Sequence, residues 1–256
     1  MIAAMLLAAA AASGEPPLCA DRPSKANGTC TVPQGRVQLE TGLVDWTRDS
    51  SGGVRSDLVL WGGSFVKYGL GRNSDIELGF TPFETFSVRS DRERARTSGF
   101  GDVVVRWKQR LTDDGSPLQA AVIPFIKLPT ASRDLGNRKV EGGIVVPLTY
   151  ALQGTAVTVT LDPELDLRAD PDGRGYHAAM AQLVNFGFAV TSRLTLSTEL
   201  WAGWDWDSHE TSKQASADAS AAYLVTNDLQ LDAGANFGLN RQTPDIELYA
   251  GVSKRF

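Results

Sequence analysis

Charged side chains recur at every second position in two stretches of this chain. Arg106, Lys108 and Arg110 form one row, and Asp162, Glu164 and Asp166 form the other. A spacing of two puts each row on one face of an extended strand. Rows of opposite sign facing each other across an enclosed space would set a transverse field. Such a field orients a polar or zwitterionic solute, as rings of charge do in channels. Glu40, Glu77 and Glu199 stand in the same polar register of other stretches and join them as candidate selectivity residues. The plainer reading is that these groups pair with one another and fill the space.

Catalytic chemistry has less to stand on. Barrel hydrolases need a base beside a nucleophile or an activated water. Only His177 and His209 could serve, the latter within Asp205-Trp206-Asp207-Ser208-His209-Glu210. No motif fixes the geometry around either, and both read equally well as loop residues. No Cys/His cluster has metal-ligand spacing, so neither a metal nor a cofactor is expected. Gly69-Leu70-Gly71-Arg72-Asn73 is a turn rather than a phosphate loop, because no helix follows it.

The elements that must carry these residues are strands. From residue 35 onward, apolar and polar residues alternate over stretches of roughly ten residues separated by turn residues. Leu229, Leu231, Ala233, Ala235, Phe237 and Leu239 share one face, while Asp228, Gln230, Asp232, Asn236 and Asn240 share the other. Twelve such segments are read, at 36–46, 57–69, 75–86, 100–110, 118–128, 139–149, 155–168, 176–190, 193–206, 214–225, 228–240 and 245–256. Short gaps and longer gaps largely take turns between them.

Alternation of this kind fits a soluble barrel with apolar residues inside, or a membrane barrel with apolar residues outside. Three features favour the membrane barrel. The polar faces carry rows of charge. The apolar faces are free of charge except at Lys254, which can snorkel at an interface. Aromatics gather at strand ends: Tyr68, Trp107, Phe188, Tyr223 and Phe256 at one, Phe80, Trp204, Trp206 and Phe237 at the other. Two such girdles suit headgroup depth. Backbone groups in lipid must all be paired, so the sheet must close. The expected fold is therefore all-β: a closed antiparallel transmembrane β-barrel of about twelve strands, with both termini periplasmic. Trp46 and Trp61 fall in the polar register, where they would pack against an N-terminal plug or meet an aromatic solute.

Residues 1–12 are uniformly apolar and end at Ser13-Gly14-Glu15-Pro16-Pro17, which reads as a secretory signal peptide. Residues 13–35 form an N-terminal plug or tail, and an exported chain could close Cys19 and Cys30 into a disulfide. Residues 36–256 make the barrel. After residue 12 no run approaches the roughly 18 apolar residues of a membrane helix. With a net charge of −5 and no large basic cluster, nucleic acid is not an expected partner.

Several passages together resemble one family. These are Cys19-Ala20-Asp21-Arg22-Pro23 through Cys30-Thr31-Val32-Pro33-Gln34-Gly35, the strand Val37-Gln38-Leu39-Glu40-Thr41, Gly99-Phe100-Gly101-Asp102-Val103, Pro124-Phe125-Ile126-Lys127-Leu128-Pro129-Thr130 and the end Gly251-Val252-Ser253-Lys254-Arg255-Phe256. The chain is similar to the bacterial outer-membrane β-barrel transporters of the meta-pathway of phenol degradation. The resemblance spans nearly all of residues 13–256. It implies an outer-membrane location in a Gram-negative cell and a transport role, and it brings no catalytic residues.

The leading expectation is thus a porin-like channel or transporter for small solutes, aromatic ones included, through a charged lumen. Its partners would be outer-membrane lipids, the solute, and the barrel-assembly machinery, which would read the last strand and its terminal Phe256. The alternatives are an outer-membrane hydrolase using His177 or His209, and a non-conducting binding or structural barrel.

Overall fold

The computed structural model describes residues 16–207 and 209–256. The expected signal peptide at 1–12 lies outside the described residues. The ladder segments are β1 (Val37–Ser51), β2 (Val54–Gly69), β3 (Ser74–Phe80), β4 (Phe83–Arg89), β5 (Arg94–Gly99), β6 (Val103–Arg110), β7 (Leu118–Leu128) and β8 (Glu141–Val145). They continue as β9 (Leu148–Ala151), β10 (Val157–Leu161), β11 (Glu164–Ala169), β12 (Tyr176–Ala189), β13 (Leu194–Trp206), β14 (Thr211–Thr226), β15 (Leu229–Gly238) and β16 (Ile246–Arg255). β3 and β4 are two halves of one crossing, as are β5 and β6, β8 and β9, and β10 and β11. The result is a closed antiparallel barrel of twelve crossings. β1 pairs with β2 on one side and with β16 on the other, so no edge is left open.

The barrel is inside-out. Leu231 and Phe237 are 48% and 47% exposed, whereas Asp232 and Asn236 beside them are 7% and 5% exposed. Lys108, Glu77, Gln38 and Asp75 are among the largest fully buried side chains, and Leu200, Leu165 and Leu167 lie on the outside. Lipid therefore replaces the oily core that a soluble sheet would need.

Three crossings are broken at proline. Thr81-Pro82, Val146-Pro147 and Asp162-Pro163 interrupt the ladders, because proline has no N–H to give. Single hydrogen bonds bridge the gaps, with Val146 N donating to Pro163 O at 3.0 Å and Gly101 N donating to Thr81 O at 3.0 Å.

Two expectations need correction. The stretches 47–56 and 87–99 fall in the longer gaps between the segments read, yet the β1–β2 ladder continues to the Ser51–Val54 pair and the β4–β5 ladder to Arg89–Arg94. Both faces of these stretches are largely polar, so the ladder persists where alternation has stopped. Gly52 and Gly53, at φ 59° and 80°, make the two-residue turn that closes the first hairpin.

The second correction concerns Trp46 and Trp61. The β1–β16 register shifts between Gly42 and Val44, leaving Leu43 55% exposed. A bulge of one residue moves every later side chain to the opposite face. Gln38 and Glu40 point inward before it and Asp45 after it. Trp46 consequently turns outward beside its partner Leu248, and β2 changes face opposite the bulge at Gly62, φ 68°, which leaves Trp61 48% exposed.

Candidate functional site

The lumen holds the candidate charges, and the N-terminal segment 16–35 lies against them. Glu40 on β1 accepts from the backbone N–H groups of Asp21 and Arg22, each at 3.1 Å. Glu199 on β13 accepts from the backbone N–H of Lys25 at 3.1 Å and from Asn185 at 2.7 Å, and the Ser24 hydroxyl donates to it as well. Asp162 accepts from Asn27 N at 2.7 Å and from Asn27 Nδ2 at 3.0 Å. Arg106 donates back to Asn27 Oδ1 at 3.1 Å. The two charged rows are therefore joined through one asparagine of the N-terminal segment.

A buried ion cluster lies beside this bridge. Lys67 Nζ is 2.5 Å from Asp21 Oδ2 and 2.6 Å from Glu40 Oε1. Lys108 Nζ is 2.8 Å from Asp21 Oδ1 and 3.4 Å from Glu77 Oε1. Burial opposes ionisation of Asp21, but the ammonium groups of Lys108 and Lys67 outweigh it and hold the carboxyl well below the usual carboxylate range. Gly28 N donates to the same Asp21 at 2.7 Å.

Further anchors run round the wall. Arg22 meets Asp232 on β15 at 2.8 Å, and Lys25 meets Asp218 on β14 at 3.1 Å. Val32 N donates to Asp75 on β3 at 2.7 Å. Cys19 and Cys30 are joined by a disulfide, with Cα atoms 6.3 Å apart, and the loop they close carries Asp21, Arg22, Ser24, Lys25 and Asn27. Wall glycines make room for it: a Cβ on Gly42 would come within 3.2 Å of the Arg22 guanidinium, and one on its cross-strand partner Gly251 would overlap it.

Not every candidate converges. Arg110 turns to Asn73 at 2.7 Å and to Asp114, within the turns at the strand ends. Asp166 pairs with Arg168 at 2.8 Å, while Glu164 lines an open cavity above the N-terminal segment. Sequence reasoning missed Asp21, Asn27, Lys67, Asp45 and Trp201. Lys67 could have been found as an ionisable residue alternating with apolar neighbours, and Asp45 as a charge in the register of Val37, Leu39 and Leu43, where lipid would not accept it. Asp21 and Asn27 lie where no periodicity marks a role.

His177 lies at the start of β12 with both ring nitrogens facing carboxylates, Asp170 at 2.7 Å and Asp205 at 2.8 Å. His209 is mostly exposed and lies 3.2 Å from Asp207. Asp170, His177 and Asp207 each bring one ligand atom within 4.8 Å of the others, the one such grouping among the described residues.

A closed barrel with lipid-facing leucines, an ionised interior and aromatic ends defines a bacterial outer-membrane β-barrel. The chain belongs to the family described as "Putative MetA-pathway of phenol degradation", whose model matches residues 20–256. Its structure is similar to that of an outer membrane channel from Pseudomonas putida F1, with a TM-score of 0.72 and 14% identity, over 91% of this chain and 100% of that one. It is also similar to the translocator domain of the autotransporter NalP from Neisseria meningitidis, with a TM-score of 0.52 and 14% identity, over 88% of this chain and 90% of that one. No curated protein sequence matches the chain.

Proposed function

We propose that the protein is an outer-membrane channel for small solutes, with the N-terminal segment as a plug seated in its lumen. The carrying observation is the way the wall charges are used. Glu40, Glu199 and Asp162 each accept backbone N–H groups of the segment rather than pairing only within the wall. Their job in this reading is to seat the plug. Arg106, Lys108 and Glu77 complete the seat. Glu164 and Asp166 remain to meet a solute, and Arg110 braces the turn. Both termini face the periplasm in this reading, with the prolonged β1–β2 and β4–β5 hairpins and the 129–140 connection at the opposite end. The family's description points to phenols, so a small aromatic solute is the first to try. Phe256, 61% exposed at the seam where its N–H bonds Val37 O, is the residue that the barrel-assembly machinery would read.

The test is single-channel conductance of the full protein in planar bilayers, with uptake of aromatic and ionic solutes into liposomes. We expect a small conductance that grows when the plug seat is weakened. Silence in both assays, even with the seat weakened, would overturn the channel in favour of a non-conducting barrel. The hydrolase alternative predicts an activity lost in His177→Ala or His209→Ala, and the channel predicts unchanged conductance in both.

A further inference from the structure

A cavity of about 330 Å³ lies in the lumen above the N-terminal segment. Lys25, Glu164, Trp201, Gln214, Asn236 and Glu247 line it. The barrel register brings these together from widely separated sequence, since Trp201 faces Ser216, Asn236 faces both Asp218 and Glu247, and Asp45 faces Tyr249.

The wall around this cavity is rich in acceptors. Asn236, 5% exposed, donates its amide to Glu247 at 2.6 Å, while its own oxygen has no partner. Asp45 Oδ1, Asp218 Oδ1 and the Tyr249 hydroxyl are likewise buried without a hydrogen bond. Asp45 and Glu247 are diagonal neighbours across the β1–β16 ladder, and Glu164 and Asp166 are two apart on one face of β11. Neighbouring carboxylates repel each other, and a cation between them relieves that repulsion. Buried acceptors left bare carry a desolvation cost that a donor would relieve.

The chain itself demonstrates which donor the wall accepts. The Lys25 ammonium sits 3.1 Å from Asp218 and 2.8 Å from Ser216, and 5.2 Å above the Trp201 ring. That is an ammonium held by a carboxylate, a hydroxyl and an aromatic face. Asn236 and Glu247 line the same cavity and offer a second ammonium a carboxylate and an unpaired amide oxygen.

We propose that this cavity binds a small aromatic ammonium ion, its nitrogen between Asn236 and Glu247 and its ring beside Trp201. The route by which such a ligand arrives rests on the channel reading, but binding to the site does not.

The test is isothermal titration calorimetry of the full protein in detergent micelles, corrected with protein-free micelles. The probes are 2-phenylethylammonium chloride, 2-phenylethanol, phenylacetate, sodium chloride and magnesium chloride. We expect saturable binding of the ammonium, at least tenfold tighter than the alcohol or the carboxylate. Glu247→Gln and, separately, Glu164→Gln should each weaken it about tenfold, while the heat-modifiable gel shift shows that each barrel is folded. Equal binding of the alcohol would overturn the proposal in favour of an apolar pocket. Displacement by sodium or magnesium at equal concentration would overturn it in favour of an ordinary counter-ion site. Unchanged affinity in both folded variants would overturn it too. Binding without conductance would fault the channel and leave the site standing, and conductance without binding would do the reverse.

Discussion

Asp21 and Lys108 meet at 2.8 Å inside the barrel, one from the N-terminal segment and one from the wall. The wall around Lys108 is already balanced without Asp21, because Glu40 and Glu77 lie beside Lys67 and Lys108. The Asp21 carboxylate is thus the part of the cluster that belongs to docking rather than to the barrel.

Asp21→Asn should therefore free the segment and spare the barrel. Hydrogen bonds to charged groups contribute about 1.5–3 kcal/mol each. Losing that from docking raises the undocked fraction on the order of ten- to a hundredfold. Limited proteolysis should cut the segment faster, and bilayer conductance should rise, with the gel shift unchanged. Lys108→Met should behave differently. It leaves Asp21 and Glu77 to share Lys67, and breaking a buried pair costs about 3–5 kcal/mol. Folded yield should fall.

The pH dependence follows from the direction of the Asp21 shift. Its carboxyl titrates well below the ordinary value of 3.8 when docked. A depressed carboxylate stabilises the docked state fully above the undocked value and loses this only as pH falls through the docked one. The difference in protease protection between the parent chain and Asp21→Asn should stay constant from pH 8 to pH 5. It should shrink only below roughly pH 4, near the free carboxylate value. A difference that collapses between pH 7 and pH 5 would show that Asp21 is not the group holding the segment.

The barrel was legible because lipid imposes a rule on every second residue, as Leu229 to Leu239 display. That rule fixes faces but not registers. Asp45, a charge in the register of Val37, Leu39 and Leu43, was the one local sign of the bulge, and with that sign passed over Trp46 and Trp61 read as lumenal when they face outward. Pro82, Pro147 and Pro163 did announce missing N–H groups, but the alternation on either side read as one unbroken strand. The seat of the N-terminal segment was least legible. Arg22 finds Asp232 and Lys25 finds Asp218 only after the sheet has closed, and nothing local in 16–35 encodes those partners.

The Cys19–Cys30 bridge should matter to the segment alone. It closes a short loop that bears most of the docking groups, and a cross-link over so few residues limits the undocked chain by about 2–3 kcal/mol in the loop-entropy view. Replacing both cysteines by serine, or adding reductant, should admit protease cleavage between residues 19 and 30. Open-channel noise should increase, while barrel unfolding by heat should move little.

The bulge at Leu43 makes a prediction that separates two tryptophans. Trp61 is directed outward, and Trp201 borders the lumenal cavity under the Lys25 ammonium. Brominated lipids quench indoles that touch acyl chains. In liposomes of such lipids, Trp61→Phe should remove emission that the bromines quench, so the quenched fraction falls. Trp201→Phe should remove emission that they do not reach, so the quenched fraction rises. If Trp61 behaved like Trp201, the strand would run without its bulge. Trp46 and Trp61 would then return to the lumen, and Asp45 would leave it for the lipid face.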